Sequence, residues 1–327
     1  MEMYKADVPT MYFIGVTTGS SSSARIFPEW AETLELGECR LVGIDLKIHD
    51  RPENYREVVD FIKSDPLSLG ALVTTHKMDL FTACEDDFDM LDPLAKELGE
   101  VSSIYKREGK LCARATDPTC GGMALEKFLP EDYFRISGAE VLVLGAGGSS
   151  LALVWHFLKG NRTDNCPSKI HVVNRSQGRL DNLMQLAEEW GSEGRVIPYL
   201  APEPLTADQV MNRLNPCSMV VNATGLGKDG PGSPLTDQAS FPERGLIWEF
   251  NYRGELKFLQ QAMKQKEDKC LSIEDGWDYF VIGWSQVIGD VFDIKVPIEG
   301  SLFNELSEQA IKSVSYTHLT LPTILLV

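Results

Sequence analysis

The sequence has no apolar run approaching the ~20 residues that a membrane-spanning helix requires, so no membrane partner is expected. It has no excess of basic charge. Lys and Arg number 31 against 48 Asp and Glu, a formal net charge of −17. Nucleic acid and anionic membrane surfaces demand a basic footprint, and neither is expected as a partner. There is no C-x-x-C pair among the seven cysteines, Cys39, Cys84, Cys112, Cys120, Cys166, Cys217 and Cys270. The odd, scattered set predicts neither a disulfide framework nor a zinc site, and points to a reducing cytoplasm. The N-terminal "MEMYKADVPT" lacks a basic region followed by an apolar one, so no signal peptide is expected. Internal repeats are absent, and low complexity is confined to Ser20–Ser23.

What remains is an ordinary globular composition, 43% hydrophobic and 24% charged over 327 residues. That is enough for two domains of roughly 100–200 residues each. "MYFIGVTT" reads as a strand ending in a Ser-rich loop, "FPEWAETLEL" as a helix with Pro28 near its first turn, and "RLVGIDL" as a second strand. "PENYREVVDFIKS" is a helix ahead of a strand over Gly70–Thr75, with helical stretches around Met78–Cys84 and Leu91–Leu98. "SSIYKREGKLCARA" predicts a hairpin turning at Glu108 and Gly109. This order predicts a mixed α/β sheet forming its own N-terminal domain.

From about Gly121 the pattern becomes strand–helix alternation: "AEVLVLGAGGSSLALVWHFLKG", "KIHVVNRSQGRLDNLMQLAEEW", then strands at "VIPYL", "SMVVNATG" and "GLIWEF". Alternation of this kind predicts a doubly wound parallel sheet of Rossmann type. Gly145, Ala146, Gly147 and Gly148 follow an apolar strand and lead into a helix N-terminus. Backbone N–H groups and the helix dipole favour a pyrophosphate there, and glycines let the backbone come close. The next strand ends in Asn174, Arg175 and Ser176, with Arg179 following. Two cations and a hydroxyl suit a 2′-phosphate, so NADP is expected ahead of NAD.

With both halves in view, the chain resembles the shikimate dehydrogenase family (shikimate and quinate dehydrogenases) from about Gly15 to Gln286. The Rossmann half has the family's "GAGG" turn, its "NR[ST]" and its "NAT" at Asn222, Ala223 and Thr224. "FNYRGELKFL" resembles the strand-end tyrosine segment, with Tyr252 in that place. "SSSS" overlays the Ser-x-Ser pair at Ser21 and Ser23. "VTTHK" overlays V-T-x-P-x-K and places the family's catalytic lysine at Lys77, beside Thr74. "ATDPTCGG" overlays N-T-D-x-x-G and places the catalytic aspartate at Asp117. "EVSS" overlays A-V-N-T, with Ser102 at the asparagine, and Gln286 matches a substrate-contacting glutamine. Leu72 and Ala115 stand where the family has two further asparagines. "VTTHK" lacks the proline and is one residue shorter, while "DPTCGG" is one longer.

The resemblance implies hydride transfer between NADP and a secondary alcohol or ketone on a shikimate-like cyclic polyol carboxylate, within cytoplasmic aromatic amino acid biosynthesis. Lys77 and Asp117 would form the acid–base dyad. The carboxylate would orient the lysine and stabilise its charged form, while burial would push its pKa down. Ser21, Ser23, Thr74, Ser102, Tyr252 and Gln286 would line the substrate site, and no metal is expected. The altered pocket residues leave quinate, aminoshikimate or another carbocycle as alternatives, and a non-catalytic cofactor-binding paralogue as a further one. A monomer or homodimer is expected.

Plainer roles are open to some of these residues. Lys77 could be a solvated lysine at a helix start, Asp117 a helix N-cap, and Ser20–Ser23 a linker turn. His76 reads as a pocket-wall residue, His156 and His171 as structural, and "EDDFD" at Glu85–Asp89 as a solvated face. The expected organisation is a substrate domain over 1–120, a cofactor domain over 121–275, and C-terminal helices over 276–312 that return to the first domain. "SVSYTHLTLPTILLV" abruptly loses charge and resembles translated sequencing adapter, so 313–327 is expected to be a non-native tail without a role in the core.

Overall fold

The computed structural model describes residues 3–160, 165–228 and 230–313. The first sheet is built from β1 (Thr10–Gly15), β2 (Arg40–Asp45), β3 (Ser68–Val73), β4 (Met90–Leu91), β5 (Ser103–Arg107) and β6 (Lys110–Arg114) in the order β2-β1-β3-β5-β6-β4. β1 runs parallel to β2 and β3, while β5 is antiparallel to both β3 and β6. The sheet is therefore mixed, as expected. The β5–β6 hairpin turns at Glu108 (φ 51°) and Gly109 (φ 75°). Two positive φ values are what a two-residue hairpin needs to match strand twist.

Four helices connect these strands: α1 (Ser23–Thr33), α2 (Pro52–Ser64), α3 (Lys77–Cys84) and α4 (Pro93–Leu98). Two sequence expectations change. Leu91, read as the start of a helix, forms with Met90 a short strand beside β6. α1 begins at Ser23, not near Phe27, so Pro28 lies inside it. Pro28 denies the Ala24 carbonyl its usual donor, yet the helix continues because its buried face is anchored. Trp30 Nε1 donates to the Leu306 carbonyl at 2.8 Å and Phe27 meets Phe292 with ring centroids 6.2 Å apart.

After α5 (Asp117–Phe128) and α6 (Tyr133–Ser137) comes the second sheet: β7 (Val141–Leu144), β8 (Ile170–Asn174), β9 (Val196–Leu200), β10 (Met219–Asn222), β11 (Leu246–Glu249) and β12 (Ser272–Glu274). Its order is β12-β11-β10-β7-β8-β9, parallel throughout. α7 (Gly148–Trp155), α8 (Gln177–Glu189), α9 (Pro204–Met211), α10 (Lys257–Met263) and α11 (Lys266–Lys269) make the crossovers. β7 pairs with both β8 and β10, so the strand order reverses at β7. Doubly wound sheets bind ligands at the carboxyl ends of strands beside such a reversal. β12 was not foreseen; it is a three-residue edge strand in which only Ile273 is buried.

α12 (Trp277–Phe292) and α13 (Gly300–Ser313) return to the first sheet. Trp284 of α12 meets Phe13 of β1 edge to face, and Gln309 of α13 donates to Thr33 of α1 at 2.7 Å. One hydrophobic cluster runs from Phe13 and Leu72 through Ala124, Val281 and Ile288 to Val143 and Val221. It joins the inner sides of both sheets through α5 and α12. The expected boundary at residue 121 falls inside α5, which is one continuous helix. Ser313 belongs to α13 and bonds to Glu29; residues 314–327 of the expected tail lie outside the described residues. Among the described residues, no helix is long and apolar enough to cross a membrane.

Candidate active site

β3 ends at Val73, and Thr74–His76 turn the chain into α3, so Lys77 is the first residue of a helix. It is not solvated: its side chain is 21% exposed, that of Asp117 14%. Lys77 Nζ donates to Asp117 Oδ2. Asp117 is the first residue of α5, and Thr116, not Asp117, is the N-cap. A carboxylate in a first helical turn is favoured by the helix dipole.

The position of Asp117 is set from behind. The backbone N–H of Thr116 donates to Ser102 Oγ at 2.6 Å, the Ser102 and Thr116 hydroxyls lie 2.9 Å apart, and Ser102 Oγ donates to the Arg114 carbonyl at 3.3 Å. Ser102 is thus buried with its hydroxyl committed to the strand-to-helix corner. This changes its expected role. It holds the segment that carries Asp117, and its hydroxyl is spent before a substrate arrives.

Burial disfavours the charged form of Lys77, but the charges of Asp117 and Glu100 and the hydrogen bond to Asp117 outweigh it. Of the two opposing effects expected, the carboxylates prevail over burial, and the ammonium is held above its ordinary range. Glu100 is the neighbour that sequence reading missed. It is 2% exposed, and burial first, then the charge of Asp117, push its carboxyl up to about 7 against the opposing pull of Lys77. In the overlay of "EVSS" on A-V-N-T, Glu100 occupies the alanine position, and an acid at that place was the available signal.

The cofactor turn faces this cluster. Gly145 has φ +115°, and a Cβ there would come within 2.9 Å of the Ala223 carbonyl oxygen. The turn and the Asn222–Thr224 segment therefore touch, as the two motifs require. A Cβ on Gly148 would come within 2.9 Å of Glu100 Oε2, and one on Gly147 within 3.6 Å of an Arg179 nitrogen. The turn is a cradle that side chains would fill, placed at the free N–H groups of α7, and it fits a dinucleotide pyrophosphate. Arg175 and Arg179 are both exposed at the start of α8, where Ser176 is the N-cap and Asn174 donates to the Ser176 carbonyl at 3.2 Å.

Other expected site residues are tied into the frame. Asn222 is buried. Its amide donates to Glu249 Oε2 at 2.8 Å, and its Oδ1 accepts from the Thr224 N–H and hydroxyl at 3.1 and 2.7 Å. Its side chain shapes the loop through Thr224 and is not directed at a cofactor. Gln286 Nε2 donates to the Val296 carbonyl at 2.9 Å, so its amide group secures the α12–α13 connection. Tyr252 stacks on Phe280 of α12, with centroids 4.0 Å apart.

Ser21 Oγ donates to Ser23 Oγ at 3.0 Å, which brings that expected pair together at the start of α1. Thr74 Oγ1 donates to the Ile14 carbonyl at 3.2 Å, tying the ends of β3 and β1. Leu72 and Ala115 are buried in the shared apolar cluster. Tyr279 of α12 is a second residue missed in the sequence. Burial, and after it the charges of Asp117, Cys120 and Glu100, hold its phenol well above its ordinary value, opposed by a hydrogen bond with Ser149 of α7.

The histidines stand aside. His76 is buried with Nδ1 3.1 Å from the Tyr55 hydroxyl, and burial pushes His156 down to about 4. Asp89 pairs with Lys63 at the surface. Among the described residues there is no disulfide and no group of three His, Cys, Asp or Glu placed to hold a metal.

No family model matches the chain. The shikimate dehydrogenase (NADP(+)) of Lactococcus lactis subsp. cremoris is 31% identical over 180 residues, 54% of this chain and 59% of that relative. The match thus spans less than two thirds of the relative's own length. Among solved structures, shikimate dehydrogenase from Aquifex aeolicus superposes with a TM-score of 0.69 at 19% identity, covering 95% of this chain and 100% of that one. The Thermus thermophilus shikimate 5-dehydrogenase in complex with NADP(H) and shikimate gives 0.67 at 22% identity, covering 93% and 99%. The structural likeness establishes the fold that both proteins share with this chain.

Proposed function

We propose that the chain is a member of the shikimate dehydrogenase family, which its 31% identity to the Lactococcus lactis enzyme supports, and that it is an NADP-dependent oxidoreductase acting on a secondary alcohol or ketone of a shikimate-like cyclic polyol carboxylate. The observation that carries this reading is the Lys77–Asp117 hydrogen bond facing the Gly145–Gly148 turn. Residues 1–120 would supply most of the substrate site and 121–275 the cofactor site, with α12 of the 276–312 segment covering the junction.

The Gly145–Gly148 turn would hold the pyrophosphate, with Arg175, Ser176 and Arg179 at the 2′-phosphate. When bound, the nicotinamide supplies or accepts the hydride. Lys77 handles the proton at the substrate oxygen. Because its ammonium is favoured, Lys77 is poised to donate a proton as a ketone is reduced. In the opposite direction it must first release that proton. Asp117 keeps the ammonium aimed, and Ser102 keeps Asp117 in place. The Ser21–Ser23 hydroxyls would bind the substrate carboxylate.

A second substrate reading is favoured by Leu72 and Ala115. Both are apolar and buried, and neither can bond a ring hydroxyl, while Ser102 has spent its own hydroxyl. A site lacking partners for a substrate hydroxyl discriminates against it strongly. Quinate, an aminoshikimate or another carbocycle then competes with shikimate itself. Retention of Lys77 and Asp117 weighs against a non-catalytic paralogue. A panel of these acids with NADP and with NAD, followed at the nicotinamide absorbance band, tests the reading. Shikimate is expected to be turned over at most moderately, and no turnover of any cyclic hydroxy acid would sink the proposal.

A further inference from the structure

Glu100 is an ionisable side chain that touches both halves of the junction and has no part in the proposed reaction. Its backbone N–H bonds to the Ala95 carbonyl at 3.2 Å, and that of its neighbour Val101 bonds to the Lys77 carbonyl at 3.1 Å, so the segment is pinned against α3 and α4. Its side chain is buried, and Oε1 has no hydrogen-bond partner among the described residues. Oε2 lies 2.9 Å from the point where Gly148 would carry a Cβ. Gly148 is the first residue of α7, where free N–H groups attract an anion.

We propose that Glu100 is a further binding residue of the dinucleotide site, which must carry a proton when the anionic cofactor is seated, so that NADP binding takes up a proton at this side chain. The inference rests on the reading of Gly145–Gly148 as the dinucleotide turn. An ionised Glu100 and a cofactor phosphate would compete for the same end of α7, and two anions at that separation repel strongly in a buried setting. A protonated Glu100 removes the repulsion, and its O–H becomes a donor toward the bound molecule.

The surrounding groups agree with this. Lys77 from α3 and Asp117 from α5 face Glu100 as a paired cation and anion, which leaves its own charge uncompensated. Tyr279 from α12 has a phenol held above its ordinary value, and Cys120 from α5, beside Asp117, has its thiol pushed up to about 12. Neither supplies a charge at neutral pH. Burial has already moved the Glu100 carboxyl to about 7, so the proton is available near neutrality.

The test is calorimetric titration of the full chain with NADP in buffers of different ionisation enthalpy, between pH 7.5 and 9. In that range the free 2′-phosphate, with its second pKa near ~6, is already ionised. The wild type is expected to take up close to one proton, with affinity falling toward tenfold per pH unit. Glu100→Gln, and Glu100→Ala as a second variant, should bind without proton uptake and with affinity flat in pH. Binding by the wild type without proton uptake overturns this inference alone, as does undiminished uptake in a folded variant. Absence of NADP binding to the wild type overturns both it and the proposed function.

Discussion

The Thr116 backbone N–H points into Ser102 Oγ at 2.6 Å, and the next residue along the chain is Asp117. One hydroxyl on the strand side of the corner thus fixes where α5 starts and where its first carboxylate lies. Ser102→Ala should leave the Thr116 N–H buried and unpaired, at a cost of ~1–3 kcal/mol. Turnover should fall more than the Michaelis constant for substrate rises, because Asp117 loses its support. Thermal melts and kinetics with the best substrate check this; an unchanged Tm together with unchanged turnover would show that the corner does not depend on Ser102.

Lys77→Ala removes the proposed proton carrier. A positioned acid–base group is typically worth roughly 10²–10⁴-fold in turnover, and a loss of that size is expected. NADP affinity at pH 7 should change far less, because Lys77 is outside the glycine turn. Wild-type turnover in the folded variant would remove Lys77 from the mechanism.

Arg175 and Arg179 sit differently with respect to the glycine turn. Arg179 reaches toward Gly147, while both side chains are exposed at the start of α8. Losing a charge-assisted phosphate contact costs about 1.5–3 kcal/mol. Arg175→Ala should raise the Michaelis constant for NADP far more than for NAD, and Arg179→Ala, which removes a side chain that also reaches toward the glycine turn, should weaken both, NADP the more. Equal effects of Arg175→Ala on the two cofactors would rule out its 2′-phosphate role.

Stability should depend on pH through buried carboxyls. Burial pushes Glu100 up to about 7, Glu249 to about 8 and Glu274 to about 7. Unfolded glutamates titrate near ~4.3, so the folded chain binds more protons between these values. The associated stability is complete below the unfolded pKa and is lost as pH rises through 7 to 8, at no more than ~1.4 kcal/mol per pH unit for each group. His156, lowered to about 4, acts in the opposite sense and costs stability as pH falls from ~6.5. Tm should therefore decline from pH 6.5 to 8. Glu249→Gln should lower Tm outright, because Asn222 and the Asn251 backbone and amide all donate to this carboxyl. It should also flatten the decline. A decline as steep as in the wild type would exclude Glu249 as a source.

Much of the fold was written in local pattern. Apolar runs such as Val141–Leu144 and Met219–Asn222 became buried parallel strands. Glu108 and Gly109 determined a hairpin turn because few residue pairs accept two positive φ values. Gly145 determined the tight turn after β7 for the same kind of reason, since only glycine leaves room beside the Ala223 carbonyl. Motif order also named Lys77 and Asp117, 40 positions apart, as a pair. Other features carried no local signal. α1 runs through Pro28 because Trp30 and Phe27 are gripped by helices some 270 residues later. Ser102, Asn222 and Gln286 read as ligand-binding residues, but the Ser102 hydroxyl, the Asn222 amide group and the Gln286 Nε2 are engaged by backbone or by a neighbouring side chain brought near by the fold. The net charge preference of Lys77 follows from Asp117 and Glu100 arriving together in a buried space. Glu100 looked like one acid among many in an acidic chain, and only the meeting of α3, α4 and α7 placed it against Gly148. Backbone geometry and burial patterns act over a few residues and can be read in sequence. Electrostatic coupling and hydrogen-bond commitment act between atoms a few ångströms apart, and that proximity exists only once the chain has folded.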